Sequence, residues 1–286
     1  TLARCGLFDR DQYLKMLSEQ IEKLQRTPGR LVQSLSDSSH DTWIKLYRPD
    51  ENASNSRISY YVKGAVAAFL LDAKIRQVTN GTKSLDDVMR KLYQDHAGDR
   101  GYTPDDFRTI VEAVSGQEFD DWFEHVVDST GELDYEPALK WYGLQFGKES
   151  DSSSEKSDDS SKDAAPWFGL TTSAVSGRFV VKSVQRDSPA FQAGMNPEDE
   201  ILAVNNFRVV ASQWESRVKQ YQPGETLQIL VARREKLLTL DVVPTTKPND
   251  DWKLRVTKDV DADQIGRLNS WLKQSPGTAA TGDSQK

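Results

Sequence analysis

Histidine and cysteine, which are common zinc ligands, are few in this chain. Its 286 residues include three histidines, His40, His96 and His125, and one cysteine, Cys5. The histidines are far apart, and Glu124-His125 is not followed by a second histidine three residues later, so no His-Glu-x-x-His motif occurs. That motif places two imidazoles on one helix face, where both can bind one zinc ion. We therefore expect this chain alone to bind no catalytic zinc, and we predict no metal ligands among its residues.

One acidic segment could be interpreted as a metal cluster. Asp120, Asp121, Glu124 and His125 lie within six residues of one another. An exposed acidic helix face explains the same residues more simply, because charged side chains at these spacings are typical of a solvated surface. We favour that interpretation.

Two adjacent phenols, Tyr60 and Tyr61, begin the longest predicted helix. A tyrosine hydroxyl remains a hydrogen-bond donor at neutral pH because its pKa is about 10. Successive helical residues point about 100° apart, so only one of the two can face a given site. The residues alone favour packing as the role of both side chains.

Charge and hydropathy exclude two classes of partner. The chain has 37 basic and 44 acidic residues, a net charge of −7, so it offers no basic surface for nucleic acid. Its longest apolar run, Ala65 to Leu71, is far shorter than the roughly 20 residues of a membrane-spanning helix. We therefore expect a soluble protein. A single cysteine permits no internal disulfide, so its location, cytoplasmic or periplasmic, stays undecided.

The first half of the chain has the periodicity of helices. Apolar residues recur at spacings of three and four, and Ser84 and Thr103-Pro104 are typical helix starts. The pattern predicts an all-helical region of about five helices, at 11–26, 59–78, from 84, from 103 and at 119–127. The helix at 59–78 is apolar around much of its circumference, which predicts a central, buried position.

Composition changes sharply near residue 148. The stretch 148–163 has no apolar residue and is predicted to be a flexible linker. Beyond it, short alternating segments predict five or six strands and one or two helices, a small barrel-like α/β module. A helix is predicted within 252–273, followed by a disordered tail from Ser275 to Lys286.

The second region resembles a PDZ domain of bacterial proteases. The resemblance rests on Pro-Trp-Phe-Gly-Leu at 166–170, Ser-Pro-Ala-Phe-Gln-Ala-Gly at 188–194 and Asp-Glu-Ile-Leu-Ala-Val-Asn-Asn at 199–206. It departs at Glu198, where glycine is usual. The resemblance implies that an extended peptide adds to an edge strand and that backbone amides capture its terminal carboxylate. It assigns peptide binding to Trp167, Phe168, Gly169, Leu170, Trp214 and Val218. The alternative is that the groove is only a packing surface or receives an internal segment.

The first region resembles the C-terminal part of the catalytic domain of the PDZ-bearing glycyl aminopeptidases, which are gluzincin zinc metallopeptidases. The carrying segments are Thr-Pro-Gly-Arg at 27–30, Val-Gln-Ser-Leu-Ser at 32–36, residues 43–52, Ser-Tyr-Tyr-Val-Lys-Gly-Ala at 59–65, residues 84–89 and Trp-Tyr-Gly-Leu at 141–144. The resemblance implies a thermolysin-like fold and assigns Tyr61 a catalytic role. In such enzymes a tyrosine hydroxyl donates to the oxyanion of the tetrahedral intermediate.

The resemblance also implies a zinc cofactor whose ligands lie upstream of the position that matches Thr1. We therefore expect this chain to be the C-terminal portion of a bacterial zinc aminopeptidase that removes N-terminal residues of the glycine or alanine type, and to be inactive by itself. Its expected partners are peptide substrates, C-terminal peptide segments and the missing catalytic half. The predicted divisions are 1–147 (helical subdomain), 148–164 (linker), 165–247 (PDZ domain) and 248–286 (a C-terminal segment with a short helix). The alternative is a non-enzymatic PDZ adaptor that binds C-terminal peptides.

Overall fold

The computed structural model describes residues 3–147, 165–248 and 251–272. The predicted linker at 148–164 and the predicted tail after Ser275 lie outside these residues. Within the described ranges, no helix combines the length and apolar character needed to cross a bilayer.

The first region is mostly helical. Its elements are α1 (Arg10–Gln25), α2 (Leu35–His40), α3 (Ala53–Ser56), α4 (Tyr60–Val78), α5 (Leu85–His96), α6 (Pro104–Ser115), α7 (Asp120–Phe123), α8 (Glu136–Tyr142) and a short strand β1 (Leu144–Phe146). Short 3-10 or π-helical turns at Pro28–Leu31, Thr42–Leu46, Gly98–Arg100 and Glu124–Asp128 connect some of them. The predicted number of about five helices is therefore too low, because several helices are too short to give a periodic pattern.

Local chemistry explains where the longer helices begin. Ser84 and Thr103 each accept a hydrogen bond from the third residue of the following helix, and the carboxylates of Asp87 and Asp106 bond back to the cap amides. These capping boxes pair amides that would otherwise lack an acceptor at the helix start. The central position predicted for α4 is confirmed, since its opposite sides contribute to two separate hydrophobic clusters.

The second region is a small antiparallel sheet with short helices. It contains β2 (Leu170–Val175), β3 (Arg178–Val184), α9 (Pro189–Gln192), β4 (Glu200–Val204), β5 (Phe207–Arg208), α10 (Trp214–Val218), β6 (Leu227–Arg233) and β7 (Lys236–Val242). The strands pair in the order β2-β3-β4-β6-β7, with β5 beside β4. Among the described strands β2 pairs only with β3, so its other edge is open to an added strand.

The chain then returns to the helical region. Strand β8 (Leu254–Val256) pairs antiparallel with β1, with Phe146 opposite Leu254, and helix α11 (Ala262–Leu272) follows. The first region is thus not all-helical, and the segment after residue 248 is part of it rather than an appendage. Neither point was predicted, because three-residue strands leave no alternation to recognise.

Helix α11 completes the core of the helical region. Trp271 is 2% exposed, and its ring lies 5.5 Å from that of Tyr13, 5.4 Å from that of Phe69 and 4.5 Å from that of Tyr142. Aromatic rings at these separations bury large apolar areas and attract one another. The second region lies between β1 and β8 in the sequence, as an insertion into the helical region.

Candidate functional site

The start of α4 is fixed by a close contact between two backbone segments. A Cβ atom on Gly29 would lie 2.2 Å from the carbonyl oxygen of Arg57 and 2.5 Å from its nitrogen. Only glycine permits this approach, because the Cβ atom of any other residue would overlap the backbone of Arg57. The Thr-Pro-Gly segment at 27–30 therefore supports the residues that lead into α4.

Two buried side chains hold the next residue. The amide of Ile58 donates to Gln33 Oε1 at 3.0 Å, and Ser38 Oγ donates to the carbonyl of Ile58 at 2.9 Å. Gln33 and Ser38 are buried. Both backbone groups of Ile58 are paired, so the direction in which α4 begins is set three residues before Tyr61.

Tyr61, the predicted catalytic residue, lies on the surface in an aromatic cluster. Its side chain is 62% exposed, and its hydroxyl lies 3.3 Å from that of Tyr47. The rings of Tyr60 and Tyr61 are 4.1 Å apart, and the exposed Trp43 packs 5.1 Å from Tyr47. We call Trp43, Tyr47, Tyr60 and Tyr61 the aromatic patch. A group of large exposed aromatic rings is unusual on a closed protein surface.

Hydrogen bonding separates the acidities of the two adjacent tyrosines. The Tyr47 hydroxyl, followed by that of Tyr60, lowers the pKa of Tyr61 through side-chain hydrogen bonds. Bonds to Tyr61 and Tyr47 raise the pKa of Tyr60 well above its usual value. A phenol whose oxygen accepts a hydrogen bond gives up its own proton more readily, so Tyr61 is the stronger donor of the pair.

Lys63, two residues beyond Tyr61, was not singled out from the sequence. Its side chain is 1% exposed, and Nζ donates to the carbonyl of Ser129 at 3.3 Å. Burial lowers its pKa, opposed by the charge of Glu132. Lysine is seldom buried so completely. It fastens α4 to the turn after Asp128, on the side of the helix away from solvent.

The acidic segment at 120–125 forms no metal cluster within the described residues. Asp120, Asp121, Glu124 and His125 are all exposed. His125 Nε2 lies 2.9 Å from the carbonyl of Glu132, so the imidazole pairs with backbone. Nowhere in the described ranges do three His, Cys, Asp or Glu side chains gather as a metal site. The residues that the structure describes therefore offer no ligand set that fits the zinc implied by the resemblance.

In the second region, hydrogen bonds to its carbonyl groups hold the predicted loop at Trp167–Leu170 in place. The Phe168 carbonyl accepts from Ala190 at 3.0 Å, and that of Gly169 accepts from Gln185 at 2.7 Å. Gly169 has φ of +70°, and a Cβ there would lie 2.1 Å from Ser188 Cβ. The glycine is required by both the left-handed backbone and the close approach.

The same loop presents backbone amides. Among the described residues no acceptor is seen for the N–H groups of Phe168 and Gly169. Successive free amides around a left-handed residue form a concavity that attracts anions. This arrangement can accept a carboxylate without any charged side chain.

The helix side chains predicted to bind peptide lie mostly inside the domain. Trp214 is 9% and Val218 6% exposed, and the Trp214 ring lies 5.4 Å from that of Phe168 and 5.5 Å from that of Phe179. They form the floor beneath the loop. Trp167 and Leu170, by contrast, are partly exposed.

The turn at Glu198, where the sequence departs from the PDZ pattern, keeps the geometry of the usual glycine. Glu198 has φ of +71°, and its amide donates to the carbonyl of Val181 at 2.8 Å. The neighbouring Asp199 is completely buried and pairs with Arg233 at 2.7 Å. The turn is therefore maintained by its neighbours despite an unfavourable residue.

Comparisons with known proteins agree with both resemblances. Residues 1–67 match the family model described as M61 glycyl aminopeptidase, and residues 166–243 match that of the PDZ domain. No curated protein matches the chain significantly.

Solved structures add a neighbour for nearly the whole chain. An aminopeptidase N family protein from Idiomarina loihiensis is 27% identical with a TM-score of 0.76, over 95% of this chain and 46% of that one. This chain therefore spans less than half the length of that protein. A serine endoprotease from Yersinia pestis is 28% identical over 30% of each chain, but its TM-score of 0.27 supports no argument.

The start of the helical region, residues 1–67, is thus similar to the M61 glycyl aminopeptidases, and the inserted sheet is similar to a PDZ domain, in agreement with the resemblance to the PDZ-bearing glycyl aminopeptidases.

Proposed function

We propose that this chain forms the C-terminal portion of a zinc aminopeptidase and supplies Tyr61 to its active site. The observation that carries the proposal is the exposed hydroxyl of Tyr61 on the aromatic patch. A side chain that acts on a substrate held by another part of the protein must be reachable from outside this chain. Tyr61 meets that condition, whereas Tyr142, for example, is fully buried.

Zinc ligands and the general base come, in this proposal, from polypeptide that carries a His-Glu-x-x-His motif. The part played by this chain is that of a hydrogen-bond donor. The hydroxyls of Tyr47 and Tyr61 can pair in either direction; when that of Tyr47 donates to the Tyr61 oxygen, the proton of Tyr61 is free to point at the oxygen of the scissile carbonyl. The bond strengthens as that oxygen gains negative charge in the tetrahedral intermediate.

The backbone supports of α4 serve to hold this donor in place. Gly29, Gln33 and Ser38 fix the segment before α4, and Lys63 fixes the helix one turn later. An oxyanion donor contributes most when it is already oriented before the reaction. The resemblance further suggests N-terminal glycine or alanine as the residues removed, with peptides as substrates.

The PDZ domain is proposed to capture peptides by their C-terminal carboxylate. The free amides of Phe168 and Gly169 and the open edge of β2 support this role. A bound peptide would extend the sheet alongside β2, with Trp167 and Leu170 near its last side chain.

Two measurements test the enzyme proposal. The coding sequence in frame with this chain is expected to encode His-Glu-x-x-His, and the resulting longer protein should hydrolyse glycyl- or alanyl-p-nitroanilide with zinc. This 286-residue chain with added zinc should show no hydrolysis. Activity of the chain alone, or a longer protein without either motif or activity, would contradict the proposal.

A second function is favoured by one observation: the PDZ domain has a continuous hydrophobic core of its own, from Phe168 to Val242. Such a domain could work as an adaptor without any peptidase. Titration with peptides of varied C-terminal residue, together with an inactive longer protein, would favour the adaptor. A flat response to every peptide would exclude capture.

A further inference from the structure

A single buried asparagine joins the two regions of the molecule. Asn55, in α3 of the helical region, is 5% exposed. Its Nδ2 donates to the carbonyl of Val184 at 2.7 Å, and its Oδ1 accepts from the amide of Arg186 at 2.8 Å. The side-chain amide thereby pairs with PDZ backbone as a neighbouring strand would.

The backbone that pairs with Asn55 also supports the loop at Trp167–Leu170, which we call the carboxylate-binding loop. Between the two residues that Asn55 holds lies Gln185, whose amide donates to the carbonyl of Gly169 at 2.7 Å. Val184 lies opposite Leu170 in the β2–β3 register. The carbonyl of Gly169, in the loop, is therefore hydrogen-bonded directly to the segment 184–186 that Asn55 holds.

Because the PDZ domain is inserted between two paired strands, the contact that Asn55 makes with it bears on how the domain is placed. The chain leaves the helical region after β1 and returns to it at β8, and these two strands pair with each other. Phe146 lies opposite Leu254, and the Gly147 amide donates to the carbonyl of Lys253. Two adjacent attachment points leave a domain free to swing about them. Asn55 supplies a further contact between the PDZ domain and the helical region, and its two hydrogen bonds to PDZ backbone restrict this rotation.

On the other side, Asn55 belongs to the segment that leads into α4. Its Nδ2 also contacts Asn52 Oδ1 at 2.9 Å, and α3 ends at Ser56, next to the Arg57 backbone packed on Gly29. Tyr61 follows Asn55 by six residues, at most about 20 Å of chain. The same short segment thus contacts the backbone that supports the peptide loop at one end and leads into the helix of the tyrosine at the other.

We propose that Asn55 links peptide capture to docking of the PDZ domain: the docked state holds Val184 to Arg186 so that the loop amides are preset for a carboxylate. This inference rests on the proposed capture of C-terminal peptides. Docking favours binding because the loop need not be ordered when the peptide arrives. By reciprocity, a bound peptide stabilises the docked state by the same factor.

The test uses the whole chain and three variants. Asn55→Ala removes both hydrogen bonds, Asn55→Asp keeps the acceptor for Arg186 but loses the donor, and Ser54→Ala changes an exposed neighbour on the same helix. Probes are two decapeptides, ending in Val and in Ala with free carboxylates, and their amidated twins. Affinity is measured by calorimetry, and exchange of the Arg186 amide by NMR, each with thermal unfolding to verify folding.

Asn55→Ala is expected to weaken binding of the free-carboxylate probes on the order of fivefold or more. It should also accelerate exchange of the Arg186 amide, while Ser54→Ala changes neither. Asn55→Asp should weaken binding yet protect Arg186 better than Asn55→Ala does. In the parent chain, saturating peptide should slow Arg186 exchange.

Parent-like affinity in folded Asn55→Ala would overturn the linkage and leave peptide capture standing. Failure of both free-carboxylate probes to bind the parent chain would overturn capture and linkage together. Arg186 exchange unaffected by Asn55→Ala would overturn docking through Asn55 itself.

Discussion

The helical region and the PDZ domain offer different kinds of atoms to a ligand. In the helical region the candidate group is a side-chain hydroxyl, that of Tyr61, on an exposed patch of aromatic rings. In the PDZ domain it is backbone, the amides of Phe168 and Gly169 above a closed core. The PDZ site is therefore built from backbone of its own domain, whereas the role proposed for the tyrosine requires chemical groups from other polypeptide.

The cores of the two regions differ in the same way. The PDZ core is drawn from one continuous stretch of chain, Phe168 to Val242. The helical core takes residues from both sides of that stretch, from α1 through β1 and again from β8 and α11. The core of each region should therefore be destabilised mainly by changes in its own segments, even where those segments are distant in sequence.

The largest effect is expected from a tryptophan beyond the PDZ domain. Trp271→Ala should destabilise the helical region by about 3–5 kcal/mol, because the ring is buried among three others. Trp214→Ala should instead destabilise the PDZ domain. Thermal unfolding followed by NMR of each region separates the two, and Trp43→Ala, which changes an exposed ring, is the control. Loss of PDZ stability in Trp271→Ala would contradict the independence of the cores.

The next-largest effect should be a loss of stability of the helical region at alkaline pH. Burial raises the pKa of Tyr135 to about 12, partly offset by the hydrogen bond from Gln25. Below pH 10 the hydroxyl is protonated in both states; between pH 10 and 12 the unfolded chain loses this proton first, so stability falls by about 3 kcal/mol in total.

Unfolding of the helical region measured from pH 8 to 11.5 checks this slope. Tyr135→Phe should cost about 1 kcal/mol at pH 8 and reduce the alkaline loss. Some slope should remain, because burial also raises the pKa of Tyr13 and Tyr142. An identical slope in Tyr135→Phe and the parent would show that Tyr135 is not the group responsible.

Two glycines near the tyrosine should respond in opposite directions. Gly29→Ala should cost about 1–3 kcal/mol, because its Cβ would collide with the Arg57 backbone. Gly64→Ala, in the interior of α4 with its nearest neighbour 4.0 Å away, should instead stabilise by about 0.5–1 kcal/mol. Chemical denaturation measures both, and a harmless Gly29→Ala would remove the support assigned to this contact.

The smallest effect is expected at the PDZ turn. Glu198→Gly should raise PDZ stability by up to about 1 kcal/mol, since glycine adopts φ near +71° without strain. The gain is limited because glycine also makes the unfolded chain more flexible. A loss of stability would mean that the Glu198 side chain, rather than its backbone, maintains the turn.

Much of the local structure could be predicted because it is encoded in short patterns. The helix predicted at 59–78 is observed at Tyr60–Val78, and the predicted strand Arg178–Val184 has the same bounds in the structure. Ser84 and Thr103 are caps, as their spacing to Asp87 and Asp106 indicates. Apolar periodicity and capping act within a few residues, so the sequence displays them directly.

The features that depend on distant contacts could not be predicted. The pairing of β1 with β8 joins residues more than 100 positions apart through strands of three residues. Asn55 and Lys63 are polar residues whose partners, Val184 and Ser129, nothing local reveals. The role proposed for Tyr61 rests only on family resemblance, since the residues alone favour packing.

Steady-state kinetics of the longer, zinc-loaded protein test the central claim most directly, with Tyr61→Phe compared with Tyr60→Phe. Tyr61→Phe is expected to lower kcat by roughly 100- to 1000-fold with little change in KM, because one oxyanion donor is lost. Tyr60→Phe should remain within a few-fold of the parent enzyme. A Tyr61→Phe enzyme with parent-like kcat would contradict the account.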